Sequence, residues 1–144
     1  MSVLEFKGYS VKTLSYTKNP QFNMKDGEIS FSPNFSAAFR DDGDDTLVEL
    51  QIALGSLTDS SVPFKVVAVV IGRFHYKADE DETNIGTEQL LHTNAVAILY
   101  PYVRTLIANI TNASNEFPTF NLPTIDVTKA LNAQKAHNTD DSEA

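Results

Sequence analysis

The stretch Phe64-Lys65-Val66-Val67-Ala68-Val69-Val70-Ile71 decides the fold. Apart from Lys65 it is wholly apolar and largely β-branched, which suits a strand covered on both faces, the most buried of its sheet. Downstream it runs out near Tyr76, before an acidic loop, Asp79-Glu80-Asp81-Glu82. Upstream, beyond the polar loop Thr58 to Pro63, the run Thr46 to Leu54 puts Val48, Leu50, Ile52 and Leu54 on one face and Glu49 and Gln51 on the other. That is the period of two of a half-buried strand. Before it, Asp41-Asp42-Gly43-Asp44-Asp45 carries the Asp-Gly pair that favours a hairpin turn. Ile29, Phe31, Phe35, Ala37 and Phe39 form another alternating row, in which Pro33 marks an edge, a bulge or a break because it cannot donate to a ladder. In the first segment Leu4, Phe6, Leu14 and Tyr16 share one phase while Tyr9 and Val11 share the other, so a bulge near Gly8 is predicted. Four strand-like runs with no helix between them imply an antiparallel sheet.

After residue 86 the period changes. Leu90, Leu91, Ala95, Val96, Ile98, Leu99, Tyr102, Val103, Leu106, Ile107 and Ile110 follow helical spacing from Thr87 to Thr111, with Pro101 predicting a kink. These positions cover an arc of roughly 200°, about twice the stripe that packing on one neighbour needs. The spacing predicts that Leu91, Ile98 and Tyr102 pack on the sheet. Val96, Tyr100, Val103 and Ile107 then form a second face, turned toward another copy of the chain. Asn112-Ala113-Ser114-Asn115 ends the helix, and the apolar loop Phe117-Pro118-Thr119-Phe120-Asn121-Leu122-Pro123 follows. Its prolines hold it extended, which predicts that Phe120 and Leu122 stay exposed on one side. A short helix from about residue 126 or 128 to 136 completes a single domain, 1–136, and residues 137–144 form a polar, acidic tail expected to fray.

With 144 residues the chain is long enough for one well-buried core. Lysine and arginine number 11 against 19 acids, a formal net charge of −8, which disfavours a nucleic-acid partner. The absence of cysteine excludes disulfides, thiolate metal sites and a cysteine nucleophile. No signal core or membrane-length apolar run is found, so a cytoplasmic protein without membrane insertion is expected. His75, His92 and His137 are widely separated, and there is no phosphate-cradling glycine loop and no nucleophile motif. Neither enzyme chemistry nor a cofactor or metal is expected. The aspartates at 41, 42, 44 and 45 lack calcium-loop spacing and read as a solvated hairpin tip. What remains unexplained by one core is the surplus of apolar residues, which points to self-association or to binding of an apolar polypeptide.

The segment Ala97-Ile98-Leu99-Tyr100-Pro101-Tyr102-Val103-Arg104, together with Phe117-Pro118-Thr119-Phe120-Asn121-Leu122-Pro123, resembles the SecB protein-export chaperone family. That family carries an aromatic-Pro-Tyr-x-Arg segment in its first helix and a Phe-Pro-x-x-Asn-Leu loop after it. The resemblance implies an α+β fold, a four-stranded antiparallel sheet followed by a long kinked helix and a short C-terminal helix, assembled as a dimer of dimers. It implies an ATP-independent holdase for unfolded polypeptides or preproteins. By the same resemblance the crossover residues Phe31, Phe35 and Phe39 and the loop residues Phe117, Phe120, Leu122, Pro123 and Ile125 would line the client groove. Thr13, Thr17 and Val67 stand about where family members place acidic residues for the SecA motor, so coupling to SecA is not expected by that route. Protein export and a toxin-antitoxin-chaperone module stay open as settings. So does a non-catalytic adaptor with one fixed protein partner.

Overall fold

The computed structural model describes residues 4–23, 31, 33–76, 88–116, 122–123, 127, 129–131 and 133. Four strands, β1 (Leu4–Lys18), β2 (Asn34–Asp42), β3 (Asp45–Gly55) and β4 (Phe64–Tyr76), precede a 26-residue helix, α1 (Glu88–Ala113). The sheet is antiparallel in the order β1-β4-β3-β2. The most apolar strand, β4, is therefore internal, while β1 and β2 lie on opposite edges and the chain crosses between them after Lys18. Pro33 stands just before β2, where its missing donor breaks no ladder bond. The hairpin between β2 and β3 closes on the pair Asp42 and Asp45, with Gly43 at φ 64° in the turn. Val127, Lys129, Ala130, Leu131 and Ala133 are helical, in the span expected for the short C-terminal helix.

Register shifts in β1 do more than the one predicted. Between Phe6 and Tyr9, and again between Val11 and Thr13, β1 carries an extra residue against β4. Gly8 sits in the first bulge at φ 110°, a conformation that side chains rarely tolerate. Each bulge reverses the alternation. Leu4, Phe6, Tyr9, Val11, Leu14 and Tyr16 thus all pair with even-numbered residues of β4 and share one face of the sheet. That inner face also holds Val48, Leu50, Ile52, Leu54, Val66, Ala68, Val70 and Phe74, all but out of contact with solvent.

The helix lies on this face. Val96, Leu99, Val103 and Ile107, spaced three or four apart, are completely buried and form the packed stripe. The approach is closest at Gly72, where a β-carbon would come within 2.7 Å of the Leu99 side chain. This reverses the facing read from the sequence: the residues assigned to an oligomer surface, Val96, Tyr100, Val103 and Ile107, are turned onto the protomer's own sheet, and Tyr102 is 39% exposed. The stripe that seats carries Leu99, whose side chain fills the space left by the missing β-carbon of Gly72. Pro101 is exposed and the helix runs through it without a break, its missing donor facing solvent. At the end of α1, Asn115 takes the left-handed conformation, φ 58°, that stops a helix.

Polar contacts fix the sheet's two ends. Asn19 is 2% exposed; its amide donates to the carbonyls of Asp59 and Val62 at 2.8 Å each, and its side-chain oxygen accepts from the Gln21 N–H at 2.9 Å. It ties the exit of β1 to the β3–β4 loop. At the other end Asp45 accepts from Arg73 at 2.9 Å, lies 3.1 Å from His75 Nδ1, and faces the Lys7 ammonium at 3.4 Å, while Asp42 accepts a second arginine nitrogen at 2.6 Å. The hairpin tip is thus not simply solvated: half of its aspartates clamp all four strands together. Arg73 first, then Lys7 and His75, hold the Asp45 carboxyl below its usual range.

Asn19→Ala is expected to cost about 2 kcal/mol in chemical denaturation, since it takes the donor from the buried Val62 carbonyl and unties the β1 exit from the β3–β4 loop. Asp45→Asn is expected to destabilise at pH 7. A depressed carboxyl contributes stability above its unfolded value and loses it as pH falls, so the difference between wild type and variant should shrink as pH drops below about 4.

Candidate functional site

A single helix leaves the flanks of the inner face open, and both open flanks are aromatic. On the β2 side Phe31, Phe35 and Phe39 are half-buried against the core's rim. Phe35 and Phe39 share a face because they alternate along β2, opposite Ile52 and Val48. Phe31 stacks on Phe64 with ring centroids 4.9 Å apart, and Tyr16 meets the other side of this group at 5.1 Å from Phe64. The Tyr16 hydroxyl is buried without a hydrogen-bond partner among the described residues. Phe39 lies under the His92 imidazole, 3.6 Å away and inclined by only 7°, so this histidine serves as an aromatic plate on α1. Beyond it a cavity of about 390 Å³ opens between the β2–β3 turn and the start of α1, floored by Val48, Phe74 and Ala95 and edged by Asp41 and Asp44.

On the β1 side the exposed apolar side chains are Tyr9, Val11 and Leu14, with Tyr102 of α1 beside them. Tyr9 and Tyr102 are 4.6 Å apart, and Phe6 links them to the core through Tyr102 at 5.8 Å and Phe74 at 5.2 Å. Ile98, Leu106 and Ile110, one turn apart from Tyr102 and from each other, continue the strip as partly buried residues. Sequence reading missed this strip, although the phase switch at Tyr9 and Val11 was its visible signal.

The residues expected to line a groove divide accordingly. Phe35 and Phe39 share the inner face of β2, while Phe31 packs on Phe64 of β4. Leu122 does not join them at the surface: it is 2% exposed and belongs to the core, a correction to the exposed position predicted from the flanking prolines. An extended loop can still bury one side if it lies back along the helix, and here the Tyr100 hydroxyl donates to the Pro123 carbonyl and holds it there. Burial pushes the Tyr100 phenol up, Arg104 offsetting in part, so it remains a donor at neutral pH. Pro123 itself is exposed. Phe117, Phe120 and Ile125, like His137 and the acidic loop 79–82, lie outside the described residues.

Nothing in this arrangement assembles acid-base or nucleophilic chemistry. Among the described residues no three of histidine, aspartate or glutamate are grouped to hold a metal ion, and no helix is long and apolar enough to cross a membrane. The flanks can bind apolar side chains by area, without directional bonds.

Comparison with known proteins agrees with this architecture. Residues 7–138 match the family model described as preprotein translocase subunit SecB. The protein-export protein SecB of Anaplasma phagocytophilum is 32% identical over 93 residues, which are 65% of this chain and 58% of that protein, so the matched part spans little more than half of the relative's length. An uncharacterized protein of Methanocaldococcus jannaschii is 29% identical over 127 residues, covering 86% of this chain and 79% of the relative. Among solved structures, a SecB-like chaperone of Mycobacterium tuberculosis in complex with a peptide of the HigA1 antitoxin superposes with a TM-score of 0.66. The two chains are 15% identical, with 85% of this chain and 91% of that one covered. A Streptococcus agalactiae protein of unknown function gives a TM-score of 0.52 at 18% identity, with 84% and 97% covered. On the family match across most of its length, and on a sheet and helix of the same order, this chain belongs to the SecB family.

Proposed function

We propose that the protein is an ATP-independent, non-catalytic holdase of the cytoplasm that keeps unfolded polypeptides from aggregating by holding their apolar side chains along the open flank of the sheet. The observation that carries this reading is the pair Phe35 and Phe39, half-buried on the edge strand β2, with Phe31 half-buried just before that strand. Each aromatic that stays partly exposed can take up client surface, and burying one such side chain contributes on the order of 1.5 to 3 kcal/mol. Several weak contacts of this kind suit many sequences. Membership of the SecB family supports the chaperone role. The structural likeness to a chaperone bound to an antitoxin peptide favours a second setting, in which the client is an antitoxin instead of a preprotein. An adaptor with one fixed partner remains the competing reading.

The same chain is proposed to work as a homo-oligomer, a dimer of dimers, but through a surface other than the one first assigned. Tyr9, Val11 and Leu14 on β1, with Tyr102, Ile98 and Leu106 on α1, make one apolar strip along an edge strand. Long apolar edges are seldom left open in a soluble fold, because they pair with other chains.

Purified protein is expected to suppress aggregation of several unrelated unfolded proteins without nucleotide. Phe35→Ser with Phe39→Ser should reduce that suppression at least several-fold while leaving the helix content intact. Activity toward one client alone would favour the adaptor. Tyr102→Glu is expected to shift the mass by light scattering toward the protomer, because a carboxylate without a partner is costly to bury; a wild-type monomer at micromolar concentration would exclude the assembly.

A further inference from the structure

The outer face of the sheet, opposite α1, has a use of its own. Strand β4 is apolar on both sides, yet no described element lies over its outer face, where Val67 and Ile71 are half-buried beside Ala53 and Leu47 of β3 and Val69 is buried. In a chain of net charge −8, five of the 11 lysines and arginines project from this one face: Lys7, Lys12, Arg40, Lys65 and Arg73. Three of them are occupied, Lys12 by Glu49 at 2.7 Å, and Lys7 and Arg73 by Asp42 and Asp45. Arg40 and Lys65 have no acidic partner among the described residues. Arg40 stands at the edge of a shallow depression of about 290 Å³, whose floor is Ala38, Leu47 and Ile71 and whose far wall is the Lys12–Glu49 pair.

We propose that this depression docks an acidic, apolar segment of a partner polypeptide, with a carboxylate on the Arg40 guanidinium and aliphatic side chains on Leu47 and Ile71. Arg40 presents a planar fork of donors that matches a carboxylate in two parallel bonds. The apolar floor supplies contact area, and the Arg40 guanidinium, which has no acidic partner among the described residues, sets the sign of what is admitted. A basic segment is repelled by Arg40. The inner flank, whose exposed residues are aromatic and aliphatic, has no comparable charge preference, so the two faces discriminate on different grounds and this inference does not depend on the holdase reading.

The test uses the full chain and two fluorescent peptides, one alternating Glu with Leu and one alternating Lys with Leu, followed by anisotropy. The Glu-Leu peptide should bind. Arg40→Glu should weaken it about tenfold and Arg40→Gln less, because reversal adds repulsion to the lost pair. Phe35→Ser should leave that affinity unchanged, and Arg40→Glu should still suppress client aggregation as well as wild type, which also reports that it folds. Equal binding of the Lys-Leu peptide, unchanged affinity in Arg40→Glu, or equal losses in Phe35→Ser would overturn the proposal. So would a rise in peptide affinity on deleting residues 139–144, which would make the chain's own acidic tail the occupant.

Discussion

Everything else in the structure depends on the seating of one helical stripe, Val96, Leu99, Val103 and Ile107, on the centre of a four-stranded sheet at Gly72. The geometry of that contact is restrictive. Four strands at about 4.8 Å spacing separate the outer strand axes by about 14 Å, and their side chains reach further still. A helix with its side chains is about 10 to 12 Å across. One helix seated on β4 reaches β1 and β3 on either side but cannot cover the sheet's full width, and residual apolar area appears along both edges. Tyr9, Val11 and Leu14 lie on one side, Phe35 and Phe39 on the other. The open flanks follow from layer widths, with no special loop required to make them.

Local backbone devices then decide what those flanks contain. Without its two bulges β1 would alternate evenly, sending Tyr9 and Val11 to the outer face while Leu14 and Tyr16 stayed inside. Instead the extra residue beside Gly8 and the one at Lys12 collect six large side chains on the same face as the helix. The second bulge also releases Lys12 toward Glu49, two strands away, so one backbone irregularity both widens the inner apolar strip and staples the outer face. The crossover from β1 to β2 is anchored differently. Asn19 donates to backbone carbonyls of the β3–β4 loop, and this fixes where the chain leaves the β1 edge.

The sequence made the strands legible because period two is unambiguous where one face is polar. The alternation of Val48, Leu50, Ile52 and Leu54, the Asp-Gly turn and the phase switch near Gly8 all correspond to observed features. Helix orientation was illegible for the converse reason. An arc of roughly 200° offers more than one stripe of adequate apolarity, and the close approach of Leu99 to Gly72 is a long-range contact that spacing does not reveal. Leu122 was misplaced by an argument from local stiffness, since proline fixes the backbone direction but not what that backbone lies against. The clamp around Asp45 was hidden because its partners come from residues 7, 73 and 75, far apart in sequence and adjacent only through register. Edge phenylalanines, by contrast, announced themselves through alternation that ended in no hydrophilic partner face wide enough to explain them.

A chain that leaves both flanks of its inner face apolar must also avoid condensing on itself, and the distribution of charge bears on this. Carboxylates crowd the hairpin tip and, in sequence, the segment after residue 78 and the last five residues, giving every copy the same net sign. Like-charged copies repel at long range, while apolar attraction acts only at contact. Association through the β1 strip then requires an alignment that brings apolar edges together while keeping the acidic segments apart, which narrows the geometries available to an ordered few. An unfolded polypeptide faces no such restriction. On the proposed reading it threads a phenylalanine or leucine onto the β2 flank in any register, so that the proposed client surface is tolerant where the proposed self-association surface is selective.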